Sequence, residues 1–153
     1  MFSSKRQAAR QRLDERLSAF QPENRLAVPS KGWIRAIRDA LGMSAVQLGK
    51  RLGIKPQSLA DLEKSERFGT IQLNTLRRAA EALDCTLVYA LIPKSSLEEV
   101  VQTRARDIAR RDLARIGHSM DLEAQGLSQS EREAQIDAYV SAHLSERDLW
   151  DRS

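Results

Sequence analysis

The residues that decide the fold are 43–63, MSAVQLGKRLGIKPQSLADLE. Ser44 is a suitable N-cap, because its hydroxyl can accept a hydrogen bond from the first turn of a helix. Gly53 can end that helix in the left-handed conformation without a steric cost. Pro56 suits the first position of a second helix, since its φ is already helical. An apolar stripe at helical spacing lies between Ser44 and Gly53: Val46, Leu48 and Leu52. The stretch therefore predicts two short helices joined by a tight turn.

The second of these helices has two distinct faces. Leu59 and Leu62, three residues apart, are expected to face inward. Two short helices at this spacing are typical of a helix-turn-helix, in which the outer face of the second helix contacts DNA bases. Polar side chains occupy that outer face, and three of them are the candidates for base contacts: Gln57, Ser58 and Asp61.

The same stretch holds candidates for phosphate contacts. Cations stand at both ends of the second helix, and the amide end of the first helix offers free N–H groups to an anion. The residues expected to contact phosphates are Ser44, Lys55, Lys64 and Arg67. Among the base-reading candidates, a glutamine is suited to adenine, and a carboxylate can accept from cytosine.

Two further helices are predicted around this pair. Trp33, Ile34, Ile37 and Leu41 give the preceding helix an apolar face, and another helix is expected over about 72–83. If the helices stack, Arg38 of the preceding helix is expected to pair with Glu63. The alternative is two exposed charges that contribute little to stability.

The pattern changes at residues 85–92, CTLVYALI, which Pro93 closes. Eight apolar or β-branched residues with a terminating proline predict a strand over 85–93. A single strand leaves both edges unpaired, and the chain offers no comparable second strand. The simplest arrangement that gives this strand a neighbour is pairing with the same strand of another protomer across a two-fold axis. The alternative is a buried apolar segment of helix or coil. The side chains assigned to the dimer strand are Leu87, Val88, Tyr89 and Leu91.

The charge divides the chain into a basic body and an acidic tail. Residues 1–117 carry 22 Lys or Arg against 13 Asp or Glu, whereas residues 118–153 carry 3 against 8. A polyanion would be attracted to the body. The alternative is that both regions are solvated faces. The expected organisation is a basic helix and linker at 1–30, a DNA-binding domain at 31–84, the dimerising strand at 85–93 and a helical region at 94–153 that is acidic from residue 118.

Composition excludes several classes of protein. No stretch of the 153 residues approaches the roughly 20 apolar residues that span a bilayer, so a cytoplasmic protein is expected. One cysteine and two histidines give no recognisable zinc spacing, and no metal or other cofactor is expected. There is no Gly-rich phosphate loop and no nucleophile elbow, so an enzyme is not expected.

The segment 33–83 resembles the Xre or Cro/C1-type helix-turn-helix family. With the strand and the helical extensions inferred above, the expected fold is mainly α: a five-helix, lambda-repressor-like helix-turn-helix domain, one short β-strand that pairs across a dimer, and helical extensions at both ends. In that family a glutamate ends the reading helix and pairs with a basic residue of the first helix, here Glu63 and Arg38. The chain departs from the family in a longer loop before the fourth helix and in Gly49, where alanine is usual.

Four segments extend a second resemblance over nearly the whole chain. PSKGWIRAIRDALGMS, LEKSERFGTI, TLRRAAEALDCTLVYALIP and IARRDLARIGHSMDLEAQGL are similar to the family named mobile mystery protein A. Its members are encoded beside a Fic-domain protein, mobile mystery protein B, which implies an antitoxin role. Inhibitors of Fic domains present Ser or Thr, three residues, then Glu and Gly or Asn. Ser119 and Glu123 match the first part of that motif, whereas Ala124 stands where Gly or Asn is expected.

These observations favour a homodimeric transcription regulator that binds double-stranded DNA at an inverted-repeat operator. Its expected role is the antitoxin and autorepressor of a Fic-type toxin-antitoxin pair. The alternative is a protein-binding module that neutralises a toxin through the helices from Ser95 onward, without specific DNA binding.

Overall fold

The computed structural model of the chain describes residues 2–21, 27–117 and 126–151. These residues form eight helices, and none of them lies in a strand. The mainly helical fold expected from the sequence is confirmed. Within the described ranges, no helix combines the length and the apolar character that crossing a membrane requires. The helices are α1 (Ser4–Ser18), α2 (Trp33–Ala40), α3 (Ala45–Leu52), α4 (Pro56–Arg67), α5 (Leu73–Ala82), α6 (Leu97–Gly117), α7 (Gln129–His143) and α8 (Asp148–Asp151).

The helices are divided between two compact units. The central unit comprises residues 22–91 and holds α2 to α5. The flanking unit combines residues 1–21 with residues 92–153 and holds α1 and α6 to α8. The central unit is thus inserted in the sequence between the two parts of the flanking unit.

The core of the central unit is built from the inner faces of its four helices. In this unit α3 contacts α4 and α5, and α2 contacts α4. Burying each aliphatic side chain of this core stabilises the fold by about 1.5 to 3 kcal/mol. The fully or almost fully buried residues are Ile34, Leu48, Leu59, Ala79 and Leu83.

The end of the central unit differs from the expectation. Asp84, two residues after the end of α5, adopts a φ of +57°, a left-handed conformation that a short polar side chain tolerates. The residues that follow do not return to helix, so the described part of this unit has four helices rather than five. Residues 85–93 form neither helix nor strand. A strand needs a hydrogen-bonded neighbour, and no other described segment provides one within the chain. The predicted pairing across a dimer stays a prediction.

The flanking unit is organised around its longest helix, α6, which contacts α1, α7 and α8. Its α7 packs an apolar face against α6, so this amphipathic helix finds its partner surface within the same chain. The buried residues of this core are Val101, Ala105, Ile108, Ala109, Val140, Leu144 and Leu149.

Polar contacts attach α1 to α6 within the flanking unit. Asp14 Oδ1 accepts a hydrogen bond from the Leu97 amide at 2.8 Å, and its Oδ2 accepts from the Glu98 amide at 3.4 Å. A carboxylate is favourable at a helix N-terminus, because the first amides of a helix lack intrahelical acceptors. Asp14 thereby fixes α1 at the beginning of α6.

Candidate nucleic-acid interface

Three local features direct the chain from α3 into α4. Ser44 Oγ accepts from the Gln47 amide at 3.2 Å, and Gln47 Oε1 accepts from the Ser44 amide at 2.7 Å, which forms a capping box. Gly53 follows α3 at a φ of +69°, where a residue with a side chain would be strained. Pro56 occupies the start of α4, where its missing amide costs no hydrogen bond.

Gly49 allows the turn to lie directly against α3. A Cβ atom at this position would come within 2.9 Å of the carbonyl oxygen of Ile54 and 3.8 Å of the nitrogen of Pro56. Because a glycine has no Cβ, the backbone of the turn approaches α3 closely enough to place α4 across it.

An ion pair between Arg38 and Glu63 joins α2 to α4. Arg38 Nε donates to Glu63 Oε1 at 2.6 Å, and Arg38 Nη2 donates to Glu63 Oε2 at 3.3 Å. Both side chains are only 11% exposed. The hydrogen bond to Glu63 raises the pKa of Arg38 above its usual value. Arg38 Nη1 also donates to the carbonyl oxygen of Met43 at 3.0 Å. One guanidinium therefore fixes α4 and the segment that enters α3.

Glu66 forms a second link between the same two helices, and sequence reasoning missed it. Its Oε1 accepts from the Trp33 amide at 2.8 Å, and its Oε2 accepts from the Ile34 amide at 3.0 Å. Glu66 thus caps the N-terminus of α2, which has no side-chain cap of its own. The available signal was its spacing, three residues after Glu63 on the inner side of α4.

The predicted base-reading residues lie on the solvent face of α4. Leu59 is fully buried, whereas Gln57, Ser58 and Asp61 are exposed. Gln57 and Asp61 each lie two residues from Leu59, and therefore about 200° around the helix from it. Asp61 forms no ion pair with any described residue. The face opposite the core is thus polar and free to meet a ligand.

Cations stand at both ends of this face. Lys55 immediately precedes α4, and Lys64 and Arg67 lie in its last turn. All three are exposed, and the two lysines form no ion pair with any described residue. The guanidinium carbon of Arg67 lies 5.1 Å from the centre of the Phe68 ring, a cation–π contact.

The net charge of the chain falls on the central unit. Its sequence carries 11 Lys or Arg against 7 Asp or Glu, a difference of +4, whereas the flanking unit carries 14 of each. The acidic tail is balanced by α1 and α6 within its own unit. Long-range attraction of a polyanion is therefore directed to the unit that contains α4.

Comparison with known proteins identifies the class of this unit. Residues 34–89 match the family described as helix-turn-helix. No curated protein matches the chain, and no solved structure matches it. The matched segment runs from the second residue of α2 to beyond α5, so these four helices form a helix-turn-helix domain. More particularly, it is a domain of the Xre/Cro type.

The remaining predicted residues belong to the dimer strand and to the half-match of a Fic-inhibiting motif. Leu87 is half-buried, and the other side chains assigned to the dimer strand are exposed, at 68% for Val88, 64% for Tyr89 and 85% for Leu91. Ser119 and Glu123, the half-match to a Fic-inhibiting motif, lie outside the described residues. Among the residues that the structure does describe, no three potential metal ligands come together.

Proposed function

We propose that this protein is a sequence-specific transcription regulator that reads its operator with the outer face of α4. The observation that carries the proposal is the exposed polar face of α4, which holds Gln57 and Asp61 opposite the buried Leu59, with Ser58 exposed beside them. In helix-turn-helix readers, the N-terminal residues of the second helix contact base edges in the major groove. Gln57 and Ser58 occupy that position in α4.

Reading and positioning fall to different residues in this proposal. Gln57 pairs with the N6 and N7 atoms of adenine, and Asp61 accepts from the N4 amine of cytosine. Lys55, Lys64 and Arg67 contact phosphates beside them. The first amides of α3, next to Ser44, receive a further phosphate, because they have no intrahelical acceptor.

The proposal is tested by selecting bound duplexes from a random DNA library and then footprinting the DNA upstream of the gene for this protein. A sequence-specific reader enriches one motif and protects it with a preference of roughly 1,000-fold or more over random DNA at physiological salt. Protection of a site at its own promoter supports autorepression. Binding that is equal on all sequences and disappears at moderate salt contradicts the proposal.

Replacing Gln57 with alanine is expected to weaken binding to the selected operator by about 1 to 3 kcal/mol, because a bidentate base contact is lost. Binding to random DNA should be unchanged, so the preference at one base pair relaxes. Competition binding against operators altered at single positions measures this change. Gln11→Ala, at an exposed glutamine of α1, is the matched control. An equal loss on operator and random DNA would remove Gln57 from the base-reading set.

Lys64→Ala is expected to weaken binding to every DNA sequence alike, because it removes a phosphate contact and not a base contact. The slope of log K against log salt concentration should fall by about 0.9 for the one phosphate that is no longer neutralised. Titrations at four or five salt concentrations measure the slope. Lys94→Ala removes the same charge from an exposed site in the flanking unit. A slope that does not change would show that Lys64 contacts no phosphate.

The proposal includes a homodimer joined through residues 85–92. Val88, Tyr89 and Leu91 leave a row of apolar side chains exposed, and a partner strand from a second copy would cover them. A dimer places two α4 helices at half-sites about 34 to 36 Å apart, one turn of DNA. The inverted repeat expected in the operator follows from that symmetry.

Val88→Lys is expected to shift the protein from dimer to monomer, because a strand pair would have to bury the new charge. Apparent affinity for an inverted repeat should then fall by roughly 100-fold, since the second half-site no longer binds as part of one molecule. Sedimentation measures the first effect, and gel-shift titration measures the second. Val100→Lys, at a 41% exposed valine of α6, is the matched control. A Val88→Lys protein that remains dimeric would place the interface elsewhere.

The antitoxin part of the proposal rests on the resemblance to mobile mystery protein A. Its partner would be a Fic-domain protein encoded beside this chain. Co-expression followed by co-purification tests the pair, and the chain should relieve growth arrest caused by the Fic protein. Failure of the two proteins to associate would leave the DNA-binding proposal intact and remove the antitoxin role.

A further inference from the structure

The flanking unit contains a cavity of about 580 Å³ that shares no residue with α4. Its wall is formed by α1, by α6 and by the last described residues of the chain. The residues of the wall are Arg6, Arg10, Val101, Glu146, Arg147, Leu149, Trp150 and Asp151. A volume of this size falls within the range of small-molecule sites in proteins. The amino acids around it are chemically unlike those of the DNA-reading face.

Two of the cavity's arginines are held in place by Glu146. Arg6 Nη1 donates to Glu146 Oε2 at 2.9 Å, and Arg10 Nη1 donates to Glu146 Oε1 at 2.9 Å. Glu146 is only 7% exposed. Arg10 Nε also donates to Glu98 at 2.6 Å. The two guanidinium groups are therefore preorganised, and a ligand would not have to order them first.

Arg10 keeps one donor that the protein does not satisfy. Its Nη2 atom is buried and has no hydrogen-bond partner among the described residues. Burial by itself would lower the pKa of Arg10, but hydrogen bonds to Glu98 and Glu146 outweigh it and raise the pKa, so the group stays charged. A buried guanidinium N–H without an acceptor costs free energy, and an oxygen acceptor beside it would remove that cost.

The rest of the wall combines a third cation with apolar surface. Arg147 is exposed and forms no ion pair with a described residue. Val101 and Leu149 are buried, whereas the indole of Trp150 is 59% exposed. The wall carries three arginines and two carboxylates, Glu146 and Asp151, and Glu98 bonds Arg10 from outside the wall, so Arg147 is the cation of the wall that no described carboxylate neutralises.

We propose that this cavity binds a small organic anion, a carboxylate with an aromatic or apolar body. The carboxylate lies against Arg147 and the guanidinium pair of Arg6 and Arg10, where charge-assisted hydrogen bonds are the strong ones. The apolar body stacks on the exposed ring of Trp150, beside the small exposed part of Val101. The site is independent of the DNA-reading proposal, because neither its residues nor its chemistry involve α4.

The test uses the full chain with Trp33→Phe, which leaves Trp150 as its only tryptophan. Phenylacetate is the probe, phenylacetamide is its neutral isostere, and inorganic phosphate is the simple anion. Phenylacetate should change the Trp150 emission saturably with a Kd of about 1 mM or tighter, which is the affinity that ten heavy atoms can supply. Phenylacetamide should bind at least roughly tenfold more weakly, because it lacks the charge.

Variants distinguish this cavity from non-specific binding. Arg147→Gln and Arg10→Lys should each weaken phenylacetate binding by roughly tenfold, since each removes a guanidinium donor. Arg132→Gln, at an exposed arginine of α7 that is not in the wall, should have no effect. Circular dichroism checks that Arg10→Lys is folded, and Arg147 is exposed enough for its replacement to spare the fold.

Three outcomes overturn the proposal. Equal binding of acid and amide would show that the charge is not recognised. Displacement of phenylacetate by phosphate at equal concentration would show an unspecific anion site. The absence of any saturable response up to 10-fold above the expected Kd would show a cleft that holds only water.

Discussion

Glu63→Ala is expected to lower the free energy of unfolding of the central unit by about 3 kcal/mol, at the lower end of the range for breaking a buried ion pair. The cost arises because Arg38, 11% exposed, keeps its charge and loses the carboxylate that bonds it at 2.6 Å. The loss stays at the lower end because Asp39, 3.2 Å from Arg38, remains as a half-exposed counter-charge.

Urea unfolding in a Trp150→Phe background measures this effect, because Trp33 in the central unit is then the only tryptophan. A probe in one unit avoids mixing the unfolding of two units into one transition. Glu81→Ala, at an exposed glutamate of α5, is the matched control and should change stability by less than about 0.5 kcal/mol. The double variant Arg38→Met with Glu63→Leu should recover most of the loss, since apolar replacement of a buried pair is often neutral. A single Glu63→Ala variant as stable as the control would mean that the pair contributes nothing.

Leu59→Ala is expected to destabilise the central unit by about 2 to 5 kcal/mol, the cost of deleting a buried leucine side chain and leaving a cavity. Leu59 is the fully buried residue of α4 and belongs to the core formed with Ile34, Leu48 and Ala79. Since whole domains are stable by only about 5 to 15 kcal/mol, this is a large share of the total.

Leu73→Ala removes the same atoms from a leucine that is 42% exposed and is the matched control. Leu73→Ala should lower the free energy of unfolding by less than about 1.5 kcal/mol, because it removes less buried apolar surface than Leu59→Ala does. The same fluorescence-detected unfolding measures both variants. Equal losses for Leu59→Ala and Leu73→Ala would contradict the assignment of Leu59 to the core and, with it, the orientation of the reading face.

The local structure around the turn could be read from the sequence because its causes are local. The N-cap at Ser44, the left-handed Gly53 and Pro56 at the start of α4 each depend on a residue's own hydroxyl or backbone preference. The polar face of α4 could be predicted for the same reason, since helical periodicity places Gln57 and Asp61 away from Leu59.

Contacts between distant segments could not be read in this way. Glu66 bonds amides 33 and 32 residues earlier, and Asp14 bonds amides 83 and 84 residues later. A single charged residue on a charged helix gives no sign of which backbone amides it will meet. The assignment of α1 to the flanking unit, and the cancellation of charge within that unit, depend on such contacts.

The segment after α5 shows a different limit of prediction from sequence. Its composition favours a strand, but residues 85–93 form none, and the prediction of a strand is not supported. A strand exists only where a neighbour pairs with it, and no described segment of the chain supplies that neighbour.

The most direct test of the account is selection of bound duplexes from a random DNA library by the intact protein and by its Gln57→Ala variant. The intact protein is expected to enrich an inverted repeat with half-site centres about 10 to 10.5 base pairs apart. The variant is expected to enrich the same repeat with one position in each half-site relaxed. Identical enriched motifs for both proteins, or no enriched motif for either, would contradict the claim that α4 reads DNA.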